Sequence, residues 1–216
     1  MPKKIGIILV TIGVVLFLSA LLLFLYNEYE DRRAGQQTEL LMDKIQSAIA
    51  EERTPTAKPT DIDEETKTEE TATSEPQEVI PTEMPVVVID GYGYIGYLSV
   101  PDLDLELPVM AEWDYSRLKV APCRQFGSTG TDDLVIAAHN YNSHFGRLSS
   151  LKEGAEIVFT DMEGLENRYI LKRLDTLNPN AVDSVQNSGY DLVLYTCTPG
   201  GATRVTVFCD RIDSAK

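Results

Sequence analysis

The chain predicts a mainly β fold: a closed eight-stranded β-barrel with one or two short helices, carried behind an N-terminal transmembrane helix and a disordered linker. Three observations predict it. Short segments rich in Val, Ile and Tyr recur through residues 86–216, divided by Gly, Pro, Asn and Asp turn signals. No regular helical crossovers join them, which argues against a doubly wound α/β sheet. Ahead of them, a 22-residue run without a charge (5–26) gives way to a stretch dominated by Thr, Glu and Pro.

Taken in order, residues 1–26 form a cytoplasmic stub and a signal anchor. The apolar run rises roughly 30 Å as a helix, the thickness of a bilayer core. Lys3 and Lys4 precede it, so the positive-inside rule leaves the N-terminus in the cytoplasm and the rest outside. No small-x-small cleavage site is evident, as a secretory signal would require. Residues 27–53 read as a juxtamembrane helix, with Leu40, Leu41, Ile45, Ala48 and Ile49 recurring at three- and four-residue spacing. Residues 54–85 hold no aromatic and five prolines. Such a stretch buries too little apolar surface to offset its ordering entropy, and reads as an acidic tether that lets a domain search near the membrane.

Residues 86–216 are long enough for one core. Eight strands are expected at 86–90, 93–100, 105–110, 134–139, 156–161, 167–177, 192–197 and 204–212, with short helices near 115–121 and 148–151. The net charge of −15 offers none of the basic surface that nucleic acid needs, so no nucleic-acid partner is expected. Three cysteines do not make a disulfide scaffold. Cys123 and Cys209 read as buried small residues, and a bridge between them stays open.

The chemistry concentrates at strand ends. The segment DLVLYTC ends in Cys197, and Arg204 opens the next strand after a turn of about six residues. Alternation puts Val193, Tyr195 and Cys197 on one face, with Leu192, Leu194 and Thr196 on the other. His139, one of two histidines, ends the apolar run DLVIAAHN. A thiol, an imidazole and a guanidinium at strand edges are the parts of cysteine-based acyl transfer, in which a base activates the thiol and a cation stabilises the oxyanion.

These residues resemble the sortase family, cysteine transpeptidases that attach surface proteins on Gram-positive bacteria. The family's Thr-Leu-x-Thr-Cys motif stands here as Val193-Leu194-Tyr195-Thr196-Cys197, with Arg204 seven residues on. The segment DLVIAAHNYNSHFGRLSSLKEG (133–154) is similar to the family's histidine segment, and YIGYLSVPDLDLELPVM (94–110) to its first strands. The resemblance implies a sortase-type barrel over 86–216, with Cys197 as nucleophile and His139 as general acid, then base. It implies that Arg204 orients the substrate and stabilises the oxyanion, assisted by Thr196, while Asn140 lines the site or forms a turn. The implied substrate is a secreted protein with a C-terminal signal like Leu-Pro-x-Thr-Gly, cut after Thr. A peptidoglycan precursor or a pilin lysine then resolves the thioacyl enzyme.

Class is less determined: His-Asn followed by Phe145 is similar to class B, and the whole is class B- or D-like. Only about fourteen residues separate Leu177 from Leu192, however, little room for the helix class B inserts there. No Asp-Pro-aromatic lid motif precedes the domain. No cofactor is implied; Asp102, Asp104 and Glu106 are equally readable as a calcium site or as a solvated edge. A zinc site is disfavoured by the five-residue spacing of His139 and His144 and the lack of a Cys-x-x-Cys pair. An L,D-transpeptidase would place Gly before the nucleophile and Arg directly after it. The remaining alternative is a non-catalytic, membrane-tethered β-barrel for adhesion or assembly.

Overall fold

Hydrogen bonds pass from strand to strand around a complete ring. The computed structural model describes residues 3–52 and 83–212. It contains β1 (Val87–Ile89), β2 (Tyr92–Val100), β3 (Leu105–Met110), β4 (Cys123–Phe126), β5 (Leu134–Ala137), β6 (Glu156–Asp161), β7 (Glu166–Leu177), β8 (Leu192–Cys197) and β9 (Arg204–Arg211). The order β2-β3-β4-β5-β8-β9-β7-β6 closes on itself because β6 also pairs antiparallel with β2. Eight strands therefore make the barrel, and β1 is a ninth that pairs with β2 as a hairpin. Closure leaves no exposed edge along the ring.

Closure depends on Gly96. Its φ is +143°, and a Cβ there would lie 2.0 Å from the Thr160 carbonyl oxygen on β6, so only glycine lets the two strands meet. The barrel interior takes inward residues of the ring strands other than β4, including Leu98, Leu107, Ile136, Phe159, Leu171, Leu192, Leu194 and Val207, all nearly or fully buried. Loss of one such leucine to alanine would cost about 2–5 kcal/mol.

The structure departs from the sequence expectation at several elements. Strand β4 was not foreseen, since CRQF is short and half polar, and the register slips between Arg124 and Phe126. The expected strand at 86–90 lies outside the ring and does not form part of it. The short helices near 117 and 148 are single 3-10 turns, Arg117–Lys119 and Leu148–Ser150. A further 3-10 turn, Pro101–Leu103, and a five-residue helix α2 (Val182–Gln186) lie in connections read as loops. Met84, assigned by the sequence to the linker, is buried in the barrel core. The remainder of that stretch, to residue 82, lies outside the described residues.

One helix, α1 (Lys3–Glu52), runs through both the apolar run and the juxtamembrane segment without a break. Its apolar first part is long and hydrophobic enough to cross a membrane, and is exposed throughout. The second part packs on the barrel. Ala34, Thr38, Leu41, Met42, Ile45 and Ile49 are buried on one face, a spacing of three, four and seven. Ile45 and Ile49 meet Tyr94, Met110, Ala121 and Cys123 in a cluster outside the barrel wall. The expected stripe is corrected at Leu40, which is 66% exposed.

Candidate active site

Strand pairing brings the three expected residues together. Strands β5 and β8 run parallel, with Ala137 opposite Tyr195. One step further the Ala138 amide donates to the Tyr195 carbonyl at 3.2 Å. His139 and Cys197 thus leave neighbouring strands side by side. On the other flank β8 and β9 are antiparallel, and Cys197 pairs directly with Arg204. All three side chains, with Asn140, line one cavity of about 390 Å³ whose rim includes Trp113 and Tyr115.

Pleating decides which side of the wall each residue faces. Leu192 and Leu194 point into the core, whereas Val193, Tyr195 and Cys197 face outward. Cys197 is half-buried, while Cys123 and Cys209 are fully buried, and all three are free thiols. Cys123 and Cys209 sit in different clusters, one outside the wall and one inside, which removes the open question of a bridge. Burial pushes the Cys123 thiol up to about 11 and raises Cys209 further.

Thr196 does not face the cavity. It is 2% exposed, and its hydroxyl donates to the Ala138 carbonyl at 2.8 Å. This bond ties β8 to β5 one residue before both Cys197 and His139, and serves positioning. The expectation that Thr196 assists at the oxyanion is corrected on that geometry.

His139 heads a tight loop. The Phe145 amide returns to the His139 carbonyl at 3.2 Å, and the Gly146 amide donates to Tyr141 O at 2.8 Å. A Cβ on Gly146 would lie 2.5 Å from the Asn140 carbonyl, so the loop needs glycine there. Phe145, fully buried in the barrel core, anchors its far end. The imidazole stands between two phenols, Tyr115 edge-on at 5.9 Å and Tyr141 tilted at 5.1 Å between centroids. Its Nε2 is buried and has no hydrogen-bond partner among the described residues. Burial, and then the charge of Lys119, hold its pKa below the usual imidazole value. Near neutral pH the ring is therefore chiefly neutral and able to accept a proton.

Arg204 is half-buried, and its Nη1 donates to the carbonyls of Gly201 and Thr203 at 3.0 and 3.1 Å. No carboxylate pairs with it among the described residues, so its charge remains available to an anion in the cavity. Tyr195, whose phenol donates to Gln125, and Trp113 border both this cavity and an adjoining apolar hollow lined by Phe126, Leu177 and Val185. Sequence reading missed Trp113 and Tyr115 as site residues. Their signal was two large aromatics in a polar loop directly after a strand.

His144, in the loop between β5 and β6, is fully buried, with its Nε2 3.3 Å from Thr38 Oγ1 on α1. Burial and then the neighbouring His139 drive its pKa down to about 4. Asp102, Asp104 and Glu106 are exposed, and among the described residues no three His, Cys, Asp or Glu gather in a metal-holding arrangement.

Known proteins share this framework. The family model for the sortase domain matches residues 98–212, from within β2 past the end of β9. Sortase A of Bacillus anthracis is 29% identical over 115 residues, covering 50% of this chain and 54% of that protein, so the chain spans about half the length of this curated relative. Sortase C of Streptococcus pneumoniae superposes with a TM-score of 0.51 at 25% identity, over 56% of this chain and 70% of that one. Sortase A of Corynebacterium diphtheriae gives the same score and identity over 57% and 62%. The match begins in the last third of β2 and spans the rest of the ring, including both strand ends that bear the thiol and the guanidinium. The chain belongs to the sortase family.

Proposed function

We propose that this chain is a membrane-anchored cysteine transpeptidase, with Cys197 as nucleophile, His139 as proton carrier and Arg204 as the oxyanion and substrate clamp. The observation that carries the reading is the single cavity lined by all three, with the imidazole Nε2 unpaired. A thiol is a weak nucleophile until deprotonated, and an adjacent neutral imidazole is the group that takes its proton.

The cycle follows from those positions. The Cys197 proton passes to His139, and the thiolate attacks the scissile carbonyl carbon. The oxyanion rests on the Arg204 guanidinium, held in place by the turn carbonyls. Collapse breaks the C–N bond, and the leaving amine takes the proton from His139. An incoming amine then gives its proton to the imidazole, attacks the thioester and expels the Cys197 thiolate. Water as the acceptor would give the hydrolase side reaction. Side chains alone supply every group this cycle uses.

The substrate in this reading is a secreted protein with a Leu-Pro-x-Thr-Gly-like signal cut after Thr. The apolar hollow beside Tyr195 and Arg204 suits the Leu and Pro of that signal. The acceptor is a cell-wall or pilin amine; the Streptococcus pneumoniae relative was described for its pilin substrate specificity. Residues 5–26 anchor the chain as a single pass with the N-terminus in the cytoplasm. Residues 27–53 serve as the juxtamembrane helix, 54–85 as the linker and 86–216 as the catalytic domain.

The test pairs cleavage with labelling. Cys197→Ala abolishes cleavage of a sorting-peptide library read by mass spectrometry, and leaves the thermal melt nearly unchanged. A thiol reagent labels Cys197 ahead of the two buried cysteines. Retained cleavage in Cys197→Ala, or labelling of Cys123 and Cys209 alone, would return the chain to a non-catalytic barrel.

A further inference from the structure

The second part of α1 docks on the loop that carries His139. Asp31 accepts from the Ser143 amide at 2.9 Å and from its hydroxyl at 2.7 Å, and that hydroxyl also reaches the Asp31 carbonyl at 3.0 Å. Burial opposes the Asp31 charge, but the bonds from Ser143 and Asn142 prevail and hold its carboxyl below the usual range. Gly35 lets the loop approach closely: a Cβ there would stand 3.3 Å from the Ser143 Cβ. One turn on, Thr38 meets His144.

This docking fixes a height. Tyr26 ends the uncharged run, and Asp31 follows it by five residues, about 8 Å of helix rise. Burial first, and then Glu30, Tyr26 and Asp31 on the helix, push the Tyr141 phenol up, and its ring lies against His139. The cavity mouth is therefore carried within roughly a helical turn or two of the place where the apolar run stops. Around that mouth stand Trp113, 45% exposed, and Tyr115, 66% exposed, with Tyr26 and Tyr29 each 61% exposed on the helix. Rings with an apolar body and a polar tip favour the headgroup layer of a bilayer.

We propose that the rim of the active-site cavity, through Trp113 and Tyr115, rests on the membrane surface, held at headgroup depth by the docking of α1 on the 139–147 loop. The partner is a lipid bilayer, and substrates reach Cys197 along its plane. The proposal rests on residues 5–26 spanning the membrane.

Trp113 is the protein's one tryptophan, so it reports its own depth without any substitution. The full chain is reconstituted in phosphatidylcholine vesicles with a minor phosphatidylglycerol fraction, floated on a density gradient, and its emission read with lipids spin-labelled at the headgroup or at the acyl-chain end. The expected result is loss of most Trp113 emission to the headgroup label and little to the chain-end label. Floated protein indifferent to both labels, or quenched most by the chain-end label, overturns the proposal and leaves the anchor standing. Protein that does not float defeats the anchor itself. Gly35→Leu crowds Ser143, and a folded variant should still float yet lose the headgroup quenching; full quenching in that variant refutes docking as the cause.

Discussion

His139 and His144 sit five residues apart on one loop and occupy opposite surroundings. His139 opens into a cavity beside a half-exposed thiol, with its Nε2 unpaired. His144 is sealed under α1, with its Nε2 on Thr38. Both have lowered pKa values with burial as the leading cause. The difference between them is access: an imidazole held neutral beside a thiol and a guanidinium can carry protons in turnover, whereas one closed in by a helix can only report on the fold.

Four substitutions break or sharpen that contrast. The largest effect is expected on the cavity side. His139→Ala should slow peptide cleavage by about 10²–10⁴-fold, and Arg204→Ala by roughly 10²–10³-fold, while folding is kept. A single-turnover cleavage assay with a thermal melt beside it checks this, and a loss confined to the melt would move both residues to a structural role. The next effect belongs to the sealed side. The unfolded chain binds a proton to His144 near pH 6.5, but the folded chain resists it down to about 4. Stability present above pH 6.5 is therefore lost as pH falls through that window, on the order of 3 kcal/mol. The lowered pKa of His139 adds loss of the same sign, and Asp31 acts only from the usual carboxylate range downward. His144→Gln should flatten the fall in melting temperature between pH 6.5 and 4; an unchanged slope would mean another group carries it. The smallest effect is electrostatic. Lys119→Gln removes the positive charge that disfavours imidazolium, so the His139 midpoint should move up, as NMR titration of the ring protons would show.

Much of this site was legible in the sequence, because strand alternation is a local code. The six residues of β8 announce which side chains face the core and which face out, and the turn to Arg204 is short enough to fix the pairing. Family membership and the barrel could be read from the same stretches. Legibility failed where distant segments decide. The resemblance implies a role for Thr196 beside the oxyanion, yet its hydroxyl answers to a carbonyl 58 residues earlier. Strand β4 owes its existence to partners on both sides rather than to its own composition. The burial of His144 could not be read because its partner, Thr38, lies 106 residues away.

The unbroken course of α1 from Lys3 to Glu52 changes what the stretch after it is for. The sequence suggested a leash on which the barrel roams. With the helix clasped to the barrel through Asp31, Thr38, Lys44 and the row from Leu41 to Ile49, Glu52 and Glu83 belong to one body, and the residues between them join two points already held together. A protease nick there would sever the backbone without setting the barrel adrift, and the two fragments should still elute together from a sizing column.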